Sequence, residues 1–254
     1  MTTSSTLRPT SSSRTARRWV FFALALVVGV VCIRLGMWQL DRLAERRAQN
    51  AAARAKIDLP ALILPDDLTS LADLPYRRAS VHGVFDSTHE VYLRDRAMDG
   101  MAGVHVVTPL HLAGSDQTIL VERGWIADKV YRTQPPASWS VGGQVEVSGL
   151  LLPTQREPSL AFLADRPPGL GEPPLRAWRA LSIPGVQAQL PYPVLGVYLM
   201  QESPAPSEDA PTPQSELDLG EGSHLGYSIQ WFAFAATAFI GGWIWMRRRP
   251  PVHR

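Results

Sequence analysis

The last apolar stretch of the chain constrains its fold more than any other feature. Leu225–Met246 is a run of 22 residues without a formal charge, and it ends at the basic triplet 247–249. Such a run is long enough to cross the hydrocarbon core of a bilayer as a helix of about 30 Å. A second apolar run, 19–40, lies near the other terminus, and its only formal charge is Arg34. We therefore expect two transmembrane helices, at 19–40 and 224–246.

The segment between the two runs is acidic. All 23 acidic residues but only 16 of the 25 basic residues lie between Asp41 and Glu221, so this stretch carries a formal charge of −7. Nucleic-acid binding begins with a basic footprint, and we expect none here. The one cysteine, Cys32, lies in the first apolar run. This excludes an intramolecular disulfide and a paired-thiol metal motif.

Composition divides the rest of the chain into five further segments. A tail at 1–18, rich in Ser, Thr and Arg, is expected to be disordered and cytoplasmic, and 247–254 is a basic cytoplasmic tail. An Arg- and Ala-rich stretch at 41–59 predicts a helical extension of the first span. It is followed by an extracytoplasmic β-rich domain at 60–200. Residues 201–223 are Pro-rich and acidic, which predicts a flexible tether.

The sequence pattern of the central domain is typical of a β protein. Short apolar runs rich in branched residues are separated by Gly, Pro and Asp, at 78–85, 90–93, 103–110, 118–121, 144–150 and 194–199. A segment at 175–188 predicts one short helix. Strands without long helices between them favour an antiparallel barrel or sandwich. The predicted fold class is a membrane α-helical hairpin flanking an extracytoplasmic β-rich (α+β) domain.

Basic residues set the predicted orientation. They flank the first run on both sides, whereas the second run is followed by 247–249 and preceded by an acidic approach. The positive-inside rule then places both termini in the cytoplasm and predicts a multi-pass protein of the cell (plasma) membrane. A cleaved signal peptide is the alternative for the first run, although no small-x-small cleavage motif follows it.

Helical spacing predicts how the two spans meet. Small or uncharged residues recur every three or four positions and would let the helices approach closely, at Ala25, Gly29, Cys32 and Gly36 in the first span and at Gly226, Gln230, Ala233, Thr237 and Gly241 in the second. Larger and more polar residues are expected on the opposite sides, namely Arg34, Trp38 and Asp41, and His224, Tyr227 and Trp231. They are either interface anchors or residues that face a ligand or partner.

Three motifs resemble those of the surfeit locus protein 1 family. They are Leu35-Gly36-Met37-Trp38-Gln39-Leu40-Asp41-Arg42 at the exit of the first span, Val121-Glu122-Arg123-Gly124-Trp125-Ile126 after a strand, and His224-Leu225-Gly226-Tyr227 with Gln230-Trp231-Phe232 at the entry of the second span. They occur in the family's order and with its two-span layout. The resemblance implies a cytochrome c oxidase assembly factor that binds heme a transiently and passes it to the heme-bearing oxidase subunit. Heme a synthase is a second implied partner, and the lipid bilayer surrounds both spans.

The resemblance makes His224 the candidate ligand of the heme iron, since the family's heme-associated histidine lies at the entry to the second span. Tyr227 and Trp231 follow on the same helix face and are candidates to line the macrocycle. Arg34 and Arg42 are candidate partners of the heme propionates, because guanidinium groups pair well with carboxylates. We expect no catalytic residues.

Alternative interpretations remain open at this stage. A histidine before a membrane helix is also an ordinary cap or interface residue, and Tyr227 and Trp231 suit an aromatic belt. Arg123-Gly124-Trp125 is either a strand end, with Gly in a tight turn and Arg paired to an acid, or a docking surface. The whole protein is alternatively a structural scaffold that never binds heme, or a membrane-tethered enzyme of heme modification.

Overall fold

The chain folds into two compact units, one helical and one rich in β-structure. The first unit joins Met1–Ala51 to Leu219–Arg254, and the second is Ala52–Asp218. The structure, a computed structural model, describes residues 11–67, 70, 72–156, 164–169, 171–202, 210–214 and 217–247. The β-rich unit is therefore wider than the predicted domain at 60–200.

Two long helices form the helical unit. Helix α1 spans Ser11–Ile57 and the last helix, α4, spans His224–Arg247. Both are long and apolar enough to cross a membrane. Helix α1 begins inside the stretch that was predicted to be a disordered tail at 1–18. No proline lies between Pro9 and Pro60, so nothing in the sequence breaks the helix before its predicted extension ends.

Aromatic side chains of α4 pack against glycines of α1. A Cβ at Gly29 would lie 2.5 Å from the Phe239 ring, and a Cβ at Gly36 would lie 2.7 Å from the Phe232 ring. Cys32, between the two glycines, is buried as well. The predicted contact face of α1 is thus confirmed, because its glycines leave room for rings of the other helix.

The predicted contact face of α4 is wrong. Its members Gly226, Gln230, Ala233, Thr237 and Gly241 are all exposed. The buried positions of α4 are Ser228, Ala235 and Gly242, and the half-buried His224, Trp231, Phe232 and Phe239 lie beside them. A large ring seated over a glycine fills space that two small faces would leave empty, which is why Phe232 and Phe239 lie on the side of α4 that faces α1, together with the small Gly242. The sequence pattern predicted that His224 and Trp231 lie opposite the helix contact. They lie beside it instead.

Polar contacts join the outer part of α1 to the residues just before α4. The Asn50 amide donates to the carbonyl oxygen of Leu219 at 2.6 Å. Arg47 forms two hydrogen bonds to the Glu221 carboxylate, at 2.8 and 2.9 Å. Arg46 donates to the carbonyl oxygen of Gly220 at 3.2 Å. These bonds fix the chain at the point where it turns into α4.

Eight strands, two short α-helices and two 3₁₀ helices (Ser87–His89 and Pro136–Trp139) lie in the described part of the β-rich unit. The strands are β1 (Leu62–Leu64), β2 (Arg78–Phe85), β3 (Val91–Met98), β4 (Met101–Leu112), β5 (Thr118–Ala127), β6 (Gln144–Pro153), β7 (Ala177–Trp178) and β8 (Val197–Gln201). The α-helices are α2 (Asp128–Thr133) and α3 (Ile183–Gln187). The predicted helix at 175–188 is therefore a short strand followed by one helical turn.

Five of the strands close into a barrel. Their order is β2, β6, β8, β5 and β4, and β4 pairs back to β2 at Gly83–Phe85. All neighbours are antiparallel except β5 and β8, which are parallel. Strand β1 pairs with β2, and β3 and β7 extend the sheet beyond β4. Of the two predicted architectures, the structure has the barrel.

The barrel wall is buried on both faces in several places. Along β6, Leu151 packs into one apolar cluster while Leu150 and Leu152 pack into another, which contains Trp178. Strand residues alternate between the two faces of a sheet, so a strand covered on both sides needs a continuous apolar run. The consecutive leucines 150–152 meet that requirement.

Part of the predicted flexible tether is fixed to the barrel. The Trp125 N–H donates to the Thr212 carbonyl oxygen at 2.7 Å, and the Thr212 N–H donates back at 2.9 Å. Strand β8 pairs with β5 only at Leu120–Glu122, so the Trp125 backbone needs another partner. Gly124, with φ of +129°, allows this approach, since a Cβ there would lie 2.0 Å from the Thr212 carbonyl oxygen. The described residues 210–214 are therefore not a free linker.

Candidate functional site

The candidate site lies where α4 begins. His224 is the first residue of α4 and is half-buried. Its Nδ1 lies 2.8 Å from Oε1 of Gln39. Gln39 lies three residues beyond the buried Gly36 and ten beyond Gly29, so it belongs to the face of α1 that packs against α4. The register that seats the phenylalanines over the glycines thus also brings Gln39 to His224.

The other ring nitrogen of His224 lies near a position that has no side chain. A Cβ at Gly222 would lie 3.8 Å from Nε2 of His224. Gly222 has φ of +70°, a conformation that glycine adopts without strain. Within the described part of the chain, Nε2 has no hydrogen-bond partner, whereas Nδ1 is bonded to Gln39. The lone pair of a neutral imidazole is then available at Nε2, which is a common ligand of iron and other transition metals.

Tyr227 and Trp231 lie one and two turns after His224 on α4. By helical geometry they are about 60° and about 20° around the axis from His224, respectively. Tyr227 is exposed over 51% of its surface, while Trp231 is half-buried and packs edge-to-face on Phe234 at 5.9 Å between ring centroids. An exposed phenol and a partly covered indole therefore follow the imidazole along α4.

The two candidate arginines occupy different sides of α1. Arg42 lies one turn beyond Gln39, forms an ion pair with Glu45 at 2.7 Å, and stacks over Trp38 at 5.7 Å. Arg34 is exposed and lies about 140° around α1 from Gln39. The structure therefore places Arg42 near the side of His224 and directs Arg34 away from it.

An apolar groove runs along the same side of the helix pair. It has a volume of about 260 Å³ and is lined by Phe21, Leu24, Ala25 and Val28 of α1 and Thr237, Ala238, Gly241 and Gly242 of α4. Leu24 lies five helical turns from Arg42, and Ala238 lies three turns from Tyr227. Arg42 and Tyr227 are thus aligned with the two walls of the groove, which begins about 16 Å along α4 from Tyr227.

The donor set at His224 consists of a single imidazole. No cluster of three or more His, Cys, Asp and Glu side chains that could hold a metal ion occurs among the described residues. The site offers one imidazole in a fixed orientation, an aromatic surface and an apolar groove. Heme iron accepts a single protein imidazole, and the macrocycle is large and apolar, so these residues fit heme.

A second polar cluster lies inside the β-rich unit, and it is fully paired. The fully buried Glu90 carboxylate accepts hydrogen bonds from Tyr92 Oη and Thr108 Oγ1 at 2.8 Å each and from Trp139 Nε1 at 2.9 Å. Arg123 forms an ion pair with Glu90 at 3.5 Å and donates to the Trp139 carbonyl oxygen at 2.5 Å. Burial lowers the pKa of Arg123, and burial beside Glu90 raises the pKa of Tyr92. These bonds engage both oxygens of Glu90 and give the cluster a structural role.

The motif Arg123-Gly124-Trp125 has the structural role considered above, with one correction. Arg123 pairs with an acid and Trp125 is buried, as that interpretation predicts. Gly124, however, lies within β5 and not at its end. The register shifts there, since Val106 faces Gly124 and Val107 faces Glu122, which leaves Arg123 as the extra residue of a β-bulge. The bulge aims Arg123 toward Glu90.

Four other histidines lie in or beside the strands of the β-rich unit and each has a local partner. They are His82 with Glu146, His89 with Asp86, His105 with Glu122 and His111 with Thr118. Their partners differ, so the structure does not gather them into one ligand set.

Two residues of the candidate site were not predicted as such. Gln39 was named only as a member of the first motif, and Gly222 received no role. The predicted face Gly29, Cys32, Gly36 continues at the same spacing to Gln39, and this spacing is the signal that could have placed Gln39 at the helix contact. Its partner, His224, belongs to a face of α4 that the sequence pattern assigned wrongly.

Together these features define a class of protein: a β-barrel unit inserted between two helices of membrane-spanning length, with one oriented imidazole at the end of the helix pair. The chain belongs to the SURF1 family, whose family model matches residues 26–236. It is similar to a SURF1-like protein of Monosiga brevicollis, with 27% identity covering 98% of this chain and 94% of the relative. A SURF1-like protein of Rickettsia felis is 27% identical over 85% of this chain and 92% of its own length. Surfeit locus protein 1 of Mus musculus is 24% identical over 89% and 76%.

Proposed function

We propose that the protein is a membrane-anchored assembly factor of cytochrome c oxidase that binds heme a transiently and presents it to the heme-bearing oxidase subunit. The observation that carries the proposal is the imidazole of His224, whose Nε2 is engaged by none of the described residues and lies at the boundary between polar chain and apolar helix. Heme a supplies an iron that accepts imidazole, an apolar macrocycle and charged propionates. At this boundary the iron would meet the imidazole, the macrocycle would lie against apolar side chains, and the propionates would face the polar part of the chain.

Each candidate residue then has a separate task. His224 would hold the iron through Nε2, and Tyr227 and Trp231 would contact the macrocycle. Arg42 is the better placed of the two arginines to bind a propionate, because it lies one turn outside Gln39 on the side of the groove. Its exposed ion pair with Glu45 is weak enough to be exchanged for another carboxylate. Arg34 points elsewhere, and we assign it to anchoring at the lipid interface.

The apolar groove supports the choice of heme a over a heme without a long tail. Its walls are aligned with Arg42 and Tyr227 and consist of side chains of Phe, Leu, Val, Ala and Thr together with two glycines. Inside a membrane an apolar chain would be held there by van der Waals packing against these side chains. The hydrocarbon tail of heme a has the chemistry that this surface accepts.

The charges at the chain ends support one membrane orientation. The nine basic residues outside the segment Asp41–Glu221 are accompanied by no acidic residue, and four of them follow the second span. We propose that both termini are cytoplasmic, that α1 and α4 cross the plasma membrane, and that the β-rich unit is extracytoplasmic. A heme site at the start of α4 would then lie in the outer leaflet.

We propose a carrier role and not an enzymatic one. The polar clusters described above are either paired internally or consist of a single imidazole, and neither arrangement supplies a nucleophile with a matched base. A single neutral imidazole also suits a protein that must release its cargo. The heme-bearing oxidase subunit is the proposed recipient, and heme a synthase is the proposed donor.

The proposal is tested by the absorption spectrum of protein purified in mild detergent from cells that make heme a. We expect a heme a spectrum in the wild type and its loss in His224→Ala. The matched control is His82→Ala, because His82 is an exposed histidine of the β-rich unit, paired with Glu146 at 3.4 Å. This variant should retain the spectrum.

Oxidase activity in membranes of the same strains separates the carrier from a scaffold. A carrier predicts that His224→Ala lowers oxidase assembly, while His82→Ala does not. Normal assembly with His224→Ala, together with no heme in the purified wild type, would show that the protein is a scaffold that acts without heme.

A further inference from the structure

We infer that Gln39 is a positioning residue that fixes the ring orientation and tautomer of His224 for iron binding, an inference that rests on the proposed heme site. The observation is the 2.8 Å contact between His224 Nδ1 and Gln39 Oε1. It joins two residues 185 positions apart in the chain and lies at the end of the packed face of the helix pair.

The chemistry of the contact selects one tautomer. A neutral imidazole has one N–H donor and one lone-pair acceptor, and an amide oxygen only accepts. Nδ1 must therefore carry the hydrogen that it donates to Gln39, and the lone pair remains on Nε2. Metal-binding histidines commonly donate their second ring N–H to an oxygen acceptor, and loss of that acceptor typically weakens metal binding about 10- to 100-fold.

A glutamine suits this position better than a carboxylate. Gln39 is half-buried at the end of an apolar helix pair, where an unpaired negative charge would be costly. A neutral amide also makes the imidazole less basic than a carboxylate would, so the iron bond is weaker. Weaker ligation fits the proposed transfer of heme to another protein.

The surroundings hold the two residues together and keep Nε2 open. The buried Gly36, one turn before Gln39, sets the close approach of the helices through Phe232. Gly222 places no side chain within reach of Nε2, whereas a Cβ there would lie 3.8 Å away. The same geometry that fixes Nδ1 therefore leaves Nε2 accessible.

The tautomer is measured in the heme-free protein, so this test does not depend on heme. The full chain is labelled with ¹⁵N-histidine, purified in detergent at a pH above the ordinary histidine pKa of about 6.5, and assigned with His224→Ala. We expect the His224 ring to be protonated at Nδ1 in the wild type and in Gln39→Glu. In Gln39→Leu we expect both tautomers.

The matched control is Gln230→Leu, which makes the same chemical change at an exposed position of α4. It should leave the His224 tautomer unchanged. Thermal unfolding of all variants shows whether each is folded. If Gln39→Leu fails to fold, the reduction potential of heme bound to Gln39→Glu still tests the inference, because a carboxylate is a stronger acceptor and should lower that potential.

Heme a titration of the same proteins supplies the second measurement. Gln39→Leu should weaken binding about 10- to 100-fold, and Gln39→Glu should restore it. The reduction potential of the bound heme should be lower in Gln39→Glu than in the wild type, because a carboxylate acceptor makes the imidazole a stronger donor. A residue that only packs would not move this potential.

The two proposals fail in different ways. A ring protonated at Nε2 in the wild type, or equal heme affinity in the wild type and Gln39→Leu, would overturn the role of Gln39 while heme binding at His224 stands. A wild type that is protonated at Nδ1 but binds no added heme a would overturn the proposed function, and the positioning role for iron with it.

Discussion

Phe232 of α4 fills the space that Gly36 leaves on α1. A Cβ at Gly36 would lie 2.7 Å from Cε1 of the Phe232 ring, which is closer than two carbon atoms can approach without a shift. Gln39, which contacts His224, lies one turn further along α1. The packing contact that sets the separation of the helices is therefore adjacent to the candidate site.

Replacing Gly36 should loosen the helix pair and impair the site together. In Gly36→Val the added methyl groups displace Phe232, an overpacking that typically costs about 1–3 kcal/mol. We expect a lower unfolding temperature in detergent and weaker heme a binding. Gly226→Val is the matched control, because a Cβ at Gly226 meets nothing within 4 Å. Equal unfolding temperatures for the two variants would show that the Gly36 contact does not hold the helices together.

The contrast between α1 and α4 shows what a sequence pattern can predict. The small residues of α1 recur at helical spacing and do form its contact face. On α4 the same pattern, from Gly226 to Gly241, predicts the wrong side, because the glycines of α1 are filled by rings of Phe232 and Phe239. A one-helix pattern identifies positions that permit close approach. It does not show which residues of the partner fill them.

Contacts between residues that are far apart in the sequence account for the other differences between the predicted and the observed structure. The strands were placed by their apolar and branched residues, and the barrel was one of two expected forms. The composition of 201–223 predicts a flexible tether, yet Thr212 completes the hydrogen bonds of Trp125. Similarly, the motif identified His224 as a candidate. Its contact with Gln39 could not be predicted, because it depends on how the two helices pack against each other.

Removing Arg123 should destabilise the β-rich unit strongly. The side chains of Arg123 and Glu90 are 2% and 0% exposed, so Arg123→Leu leaves a buried carboxylate without its counter-charge. Breaking a buried ion pair in this way costs about 3–5 kcal/mol. We expect a large decrease in the free energy of unfolding, measured by urea titration with tryptophan fluorescence.

The matched control for Arg123→Leu is Arg132→Leu. Arg132 forms an exposed ion pair with Asp128 at 2.6 Å, four residues away on α2. Exposed pairs of this kind contribute little to stability, because water and salt screen the two charges. Similar losses in the two variants would contradict the structural importance of the buried pair.

Asp86 should make stability depend on pH in the acid range. Burial opposes its charge, but hydrogen bonds from Thr88, Tyr192 and His89 outweigh that effect and lower the pKa of Asp86. A carboxyl whose folded pKa is depressed stabilises the fold above its unfolded pKa of about 3.9, and this contribution is lost as the pH falls further. The wild type should therefore be more stable than Asp86→Asn at neutral pH, and the difference should shrink below about pH 4.

Thermal unfolding of both proteins between neutral pH and pH about 3 measures this difference. Asp99→Asn is the control, because Asp99 is an exposed turn residue with φ of +51° that asparagine also adopts. Its unfolding temperature should follow the wild type at every pH. A stability difference between wild type and Asp86→Asn that does not vary with pH would contradict the assigned ionisation.

Filling the apolar groove should discriminate between hemes. A Cβ at Gly241 meets nothing within 4 Å and Gly241 lines the groove, so Gly241→Leu adds an apolar group to the groove. If the tail of heme a lies there, the variant should bind heme a more weakly, and heme b, which lacks the tail, as well as the wild type does. Gly226→Leu adds the same group outside the groove and should bind both hemes normally. If Gly241→Leu lost affinity for heme a and heme b equally, the substitution would act through the packing of the helix pair, and the groove would not hold the tail.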